Sequence, residues 1–173
     1  MMLQTLLVGG ITGQQVQNFK IMKLDKQDKH LLDEYNFCAY KSGKFNKTKY
    51  VKANCKQKTI YFHRLVVEKM LGRKLKKNEK IDHINRNGTD NRRENLRICT
   101  HQENMCNQEK RVIGTSEYKG VSFNKKNNKW HTRIWSKYKS IHLGYFLSEE
   151  EAAACYNFAA NLIHGKYALL NKL

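Results

Sequence analysis

Four polar residues in the middle of the chain, Asp82, His83, Asn95 and Asn104, have the types and spacing for phosphodiester chemistry. Hydrolysis of a phosphodiester needs a base to take a proton from water. It also needs a cation to offset the charge that builds on the phosphate and the leaving oxygen. His83 is the candidate base. The carboxylate of Asp82 and the amide oxygen of Asn104 are hard donors that suit one Mg²⁺ or Mn²⁺, with water and substrate phosphate completing the coordination. Asn95, grouped with His83 as a catalytic-site residue, is expected to act through structure, bonding the loop backbone across to the His83 strand. Singly, an Asp-His pair or a loop Asn is most often a surface or turn residue; the joint pattern is what points to a site.

These residues need a particular local frame. The segment reads as a strand over 81–84, a polar loop NRNGTDNRRE, and a second strand over 96–99. Thr100 followed by Glu103 is a capping-box pattern that starts a helix. Asn104 then lies about one turn inside, where side chains lean toward the helix N-terminus and hence toward the strands. Upstream, residues 35–62 alternate aromatic and basic positions around Gly43 and predict two or three antiparallel strands. RLVVEKML carries apolar pairs at 66/70 and 67/71 before Gly72, which predicts a short helix.

The Asp-His pair, the loop Asn, the helix Asn and the upstream run His63-Arg-Leu-Val resemble the HNH endonucleases, specifically the phage and intron-encoded homing branch. The resemblance covers roughly residues 24–107 and is closest over 81–104. It implies a ββα-metal fold, DNA cleavage with Mg²⁺ or Mn²⁺, His83 as general base, Asp82 and Asn104 as metal ligands, and Asn95 as the loop staple. His63 and Arg64 are candidate phosphate contacts.

Composition agrees with a polyanionic partner. The 33 Lys and Arg against 15 Asp and Glu give +18, far above the ~2–8 of ordinary small domains, and double-stranded DNA is the partner expected. Residues 22–114 and 115–173 both carry a basic excess. No small-molecule substrate is indicated, and the choice between monomer and dimer is left open. The five cysteines, at 38, 55, 99, 106 and 155, form no CxxC pair, so neither a zinc ribbon nor a disulfide framework is expected, and a cytoplasmic location with the DNA fits. The opening MMLQTLLVGGI has neither the basic region of a secretion signal nor the length of a membrane span.

Beyond a Gly-Thr-Ser stretch, three strand-like runs over 118–124, 129–136 and 139–146 precede a helix. That helix is capped by Ser148 and Glu151, carries an apolar stripe at Ala152, Tyr156, Ala159 and Ile163, and ends near Gly165. Tyr118-Lys-Gly-Val-Ser-Phe, Leu143-Gly-Tyr-Phe, the Ser148–Ala160 run and Gly165–Asn171 are similar to the APETALA-type domain of plant ethylene-response transcription factors. The resemblance implies a three-stranded sheet that enters the DNA major groove with one face and packs on a helix with the other. Alternation puts Val121, Phe123, Trp130, Thr132, Ile134, Ile141 and Leu143 toward the helix, and Lys119, Ser122, Asn124, His131, Arg133, Trp135, Ser140 and His142 toward DNA. Ser122, Asn124 and Ser140 replace arginines of the plant pattern, and Arg133 replaces an acid.

The expected fold is α+β. An N-terminal segment 1–21 without assignment precedes a ββα-metal HNH nuclease domain over 22–108 and a linker over 109–116. A small three-stranded antiparallel sheet packed on one helix follows over 117–173. A metal-dependent endonuclease of homing type is the leading reading. The alternative is a sequence-specific DNA-binding regulator whose HNH half is inactive.

Overall fold

A computed structural model describes residues 22–41, 48–55, 58–110 and 114–173. The N-terminal segment 1–21, Gly43 and part of the expected linker fall outside these residues. Contacts divide the chain into two units between Thr100 and His101, earlier than the expected linker. The shift has a local cause. The stretch after Thr100 is tied into the second unit by the Lys119 ammonium, which donates to the carbonyls of Cys106 at 2.6 Å and Gln108 at 2.7 Å.

In the first unit a 3-10 helix, Lys26–Leu32, precedes three antiparallel strands in the order β1 (Cys38–Lys41), β2 (Lys49–Cys55), β3 (Lys58–Tyr61). Alternation along β2 buries Val51 and Ala53, as expected for a strand with one face on a core. β3 runs directly into α1, Phe62–Leu71, which buries Phe62, Val66 and Val67 and stops at Gly72 in the left-handed conformation, φ +64°. The predicted apolar pairs are only half used, because Met70 and Leu71 on the last turn emerge into solvent. Met22, Leu31, Phe37, Val51, Ala53, Phe62, Val66, Val67 and Leu96 form one core. A two-stranded hairpin, β4 (Lys80–His83) and β5 (Leu96–Cys99), pairs Asp82 with Arg97 and His83 with Leu96.

The second unit holds α2 (His101–Cys106), the antiparallel sheet β6 (Val121–Asn124), β7 (Lys129–Ser136), β8 (Lys139–Phe146), and α3 (Glu149–His164). Buried alanines at 152, 153, 159 and 160 bring α3 close to the sheet. There the buried Thr132 hydroxyl donates to the Ala152 carbonyl at 3.0 Å. Gly120, φ +81°, lies where a Cβ would collide with the Tyr156 ring and stand 2.7 Å from the Arg133 carbonyl. Ser148 caps α3 by accepting from Glu150 N and Glu151 N. The Ser148 hydroxyl in turn donates to the Glu150 carboxylate at 2.6 Å. Ile163 and Ile141, expected on the packed side, are 38% and 40% exposed, since the alanine-lined contact ends before either reaches cover. Asn171 closes the unit, exchanging two hydrogen bonds with Asn157 and two with the Lys119 backbone. Among the described residues no helix is long and apolar enough to cross a membrane.

Candidate active site and nucleic-acid face

Adjacent strand residues point to opposite faces, so Asp82 and His83 leave β4 in different directions. Both are buried, 6% and 5% exposed. Asp82 faces its cross-strand partner Arg97, whose Nε and one terminal nitrogen both donate to Asp82 Oδ2, at 2.8 and 2.5 Å. His83 Nε2 lies 3.3 Å from Asn91 Oδ1. Its ring is tilted against Tyr50 at 5.8 Å between centroids and meets His63 edge-on at 5.2 Å. Burial pulls the His83 pKa below the ordinary histidine value, against the opposing influence of Asn91, Asp82 and Asp90. The imidazole is therefore neutral near pH 7, the form that can accept a proton.

The loop between the strands is held from within. Asn95 accepts from Asn85 N at 2.9 Å through Oδ1 and donates to the Asp90 carbonyl at 2.7 Å through Nδ2. Ile84 N donates to the Asn95 carbonyl at 2.9 Å. Asp90 accepts from Arg92 and Asn85, which hold its pKa below the usual carboxylate value although burial alone would raise it. Gly88 allows the loop to lie on β2: a Cβ there would stand 2.6 Å from the Tyr50 ring. The loop is also held from without. Arg93 forms a bidentate pair with the fully buried Asp28, at 2.8 and 2.6 Å, and its backbone N donates to Asp25 at 2.8 Å. Lys23 bridges Asp90, with bonds from Lys23 N to the Thr89 carbonyl and from Asn91 N to the Lys23 carbonyl.

His63 stands at the start of α1, stacked near Tyr61 at 5.5 Å, with its Nδ1 buried and unpartnered. Burial, helped by His83 and Arg64, pushes its pKa down to about 3. It thus forms a neutral wall of the site and offers no cationic contact to phosphate at neutral pH. Arg64 is half-buried and 4.0 Å from Glu68, one turn on. Tyr50 is a member of this cluster that sequence reasoning missed; its pKa is raised by burial and then by Asp82 and Tyr61. The alternation of β2 was a usable signal, since it turns Tyr50 away from the core face of Val51 and Ala53.

Asn104 is half-buried on α2, in the second unit. Among the described residues no three His, Cys, Asp or Glu side chains gather as a metal cage. The donor chemistry still fits a hard divalent ion, since Mg²⁺ commonly takes one or two protein oxygens and keeps waters; Asp82 is such a donor, shared with Arg97.

On the sheet of the second unit, Ser122, Asn124, His131, Arg133, Trp135, Ser140 and His142 are half-buried or exposed. Lys119 is not on a strand; its ammonium is held by the Cys106 and Gln108 carbonyls. The register slips between Thr132 and Arg133: Thr132 pairs with Gly144 and Arg133 with His142. This bulge resets the parity of β8, so Tyr145 joins His131 and His142, at 5.2 and 4.9 Å between centroids. Strict alternation had hidden it.

Residues 60–106 match the family model described as HNH endonuclease. The chain is 28% identical over 114 residues to the uncharacterized HNH endonuclease L560 of Acanthamoeba polyphaga mimivirus, which covers 66% of this chain and 58% of that protein. It is 38% identical over 74 residues to the AP2/ERF and B3 domain-containing transcription repressor TEM1 of Arabidopsis thaliana, covering 43% of this chain and 20% of that protein. The transcription factor RAV1 of the same plant is 32% identical over a stretch of the same length. The chain thus spans between about a fifth and three-fifths of the length of these relatives.

Proposed function

We propose that this chain, which carries an HNH endonuclease segment, is a metal-dependent DNA endonuclease of the site-specific homing type. The observation that carries the reading is the buried, neutral His83, next in sequence to the equally buried Asp82, at the end of a hairpin whose loop is tied down at both ends. His83 takes a proton from the attacking water. Packing against Tyr50 and His63 and the bond to Asn91 fix its ring, which keeps the base aligned without reorganisation during the reaction. Asp82 would hold one Mg²⁺ or Mn²⁺, with Asn104 as the second ligand that the HNH pattern implies. When bound, the ion offsets charge on the phosphate and the leaving oxygen. Arg97 orients Asp82, and Asn95 sets the loop geometry without touching the reacting atoms.

The sheet of the second unit binds double-stranded DNA, as the second domain of an APETALA type. Its outer residues Ser122, Asn124, Arg133 and Ser140 face the major groove, where side-chain donors and acceptors distinguish base pairs.

A second reading has its own observation: Arg97 places two bonds on the carboxylate that would bind metal, and two relatives are transcription regulators. Under it the chain is a DNA-binding regulator with an inert nuclease half. Supercoiled plasmid incubated with Mg²⁺, Mn²⁺ or EDTA separates the two. Nicking with either metal, abolished by EDTA and by His83→Ala while DNA binding persists, supports the enzyme. Absence of nicking with intact binding favours the regulator.

A further inference from the structure

We infer that the outer face of the β6-β7-β8 sheet is a stacking platform for unpaired bases within duplex DNA, so that the second unit binds a duplex carrying a bulge more tightly than a fully paired one. The inference deepens the proposal above and rests on its reading that this sheet binds DNA.

The first observation is the shape of the ring cluster. His131 Nε2 and His142 Nδ1 are 2.8 Å apart, while the ring centroids are 4.8 Å apart and the planes differ by only 23°. Rings related this way meet by their edges. The pair therefore makes one broad, nearly flat surface whose faces are not consumed by stacking on each other. Tyr145 adjoins both rings, tilted 32° to His131 and 53° to His142. The β8 bulge is what brings these three residues together. Further along β7, Arg133 and Trp135 follow His131 on the same face at two-residue intervals, roughly 6.8 Å apart for successive outward residues of a strand. Trp135 is 59% exposed and Tyr145 44%. The row offers imidazole, guanidinium and indole planes in sequence.

The second observation is charge. Residues 121–146 contain no Asp or Glu, yet Lys125, Lys126, Lys129, Arg133, Lys137 and Lys139 lie among them, all exposed. An acid-free aromatic face rimmed by cations suits a polyanion with flat apolar groups, and disfavours an ordinary protein surface of mixed charge. Within DNA, base pairing decides the form. A duplex hides the faces of its bases in its own stack and presents only their edges in the grooves. Flat side chains gain most from bases that are unstacked, and the gain tolerates any sequence because every base has a π-face. Arg133, Ser122 and Asn124 remain for edges and phosphates of the flanking paired DNA.

The full chain in EDTA, titrated into three labelled probes and followed by fluorescence anisotropy, tests this. The probes are a paired duplex, the same duplex with a short unpaired bulge, and the single strand. The expected result is tighter binding to the bulged duplex than to the paired duplex or the single strand, with quenching of Trp135 emission. Tyr145→Ala and Trp135→Ala should each weaken the bulged probe by about tenfold and the paired duplex much less. Tyr145→Phe, which keeps the ring and loses only the hydroxyl, should retain wild-type affinity. Equal affinity for all probes, equal losses on paired and bulged probes, or a Tyr145→Phe variant as weak as Tyr145→Ala would overturn the platform while leaving DNA binding by this sheet standing. Loss of no affinity for any probe in Tyr145→Ala, Trp135→Ala and Arg133→Ala together would remove both.

Discussion

Replacing Asn95 by alanine should unfold the first unit at markedly lower temperature, because this one side chain joins two parts of the loop that carries the site. In the native protein its Oδ1 accepts from Asn85 N at 2.9 Å and its Nδ2 donates to the Asp90 carbonyl at 2.7 Å. Alanine leaves the buried Asp90 carbonyl without this partner, at about 1–3 kcal/mol, and the N–H of the exposed Asn85 without its acceptor, at about 0.5–1.5 kcal/mol. The sum is about 1.5–4.5 kcal/mol, which for a unit of this size lowers Tm by roughly 6–36 °C. Asn95→Asp should fall between, since a carboxylate still accepts from Asn85 N but cannot donate to Asp90. Differential scanning calorimetry on the full chain measures both. A melt of Asn95→Ala within a degree or two of wild type would refute the reasoning and mean that the loop is held by its Asp28, Asp25 and Lys23 anchors alone.

Three further perturbations follow from the geometry. The His63 pKa is far below the ~6.5 of the unfolded chain. Between pH 6.5 and about 3 the unfolded state therefore binds a proton that the native site refuses, and stability falls as pH falls through that window; His63→Phe should make the decline shallower in acid-denaturation curves followed by circular dichroism. Gly120→Ala, with φ +81° and the Tyr156 ring and Arg133 carbonyl in the way of a Cβ, should cost about 3 kcal/mol or more, read as loss of the second unit's transition in urea unfolding followed by tryptophan emission. Arg97→Ala leaves the buried Asp82 carboxylate without its guanidinium and should destabilise the metal-free chain by about 3 kcal/mol. If Asp82 is a metal ligand, added Mg²⁺ should then raise the melting temperature of this variant more than that of wild type, and an equal response would count against the ligand role.

Much of the architecture was legible because it depends on neighbours in the chain. The hairpin over 81–99, the helix ending at Gly72, the start of α2 after Thr100, and the three strands and helix after Tyr118 all follow from short-range periodicity, turn residues and caps. So does the juxtaposition of Asp82, His83 and Asn95, which one loop brings together. Tertiary structure decided the electrostatic character of the site. Arg97 reaches Asp82 only through hairpin register, and Asp28 meets Arg93 across 65 positions of chain. His63 is a neutral wall because Tyr50, Tyr61 and His83 close around it. One bulge between Thr132 and Arg133 reversed the facing of Tyr145, because side-chain direction in a strand has a period of two and a single extra residue flips every later position. Sequence pattern thus determined which elements form and which residues carry chemistry. Burial and long-range pairing, set by how distant segments close on one another, determined the charge state and partners those residues have.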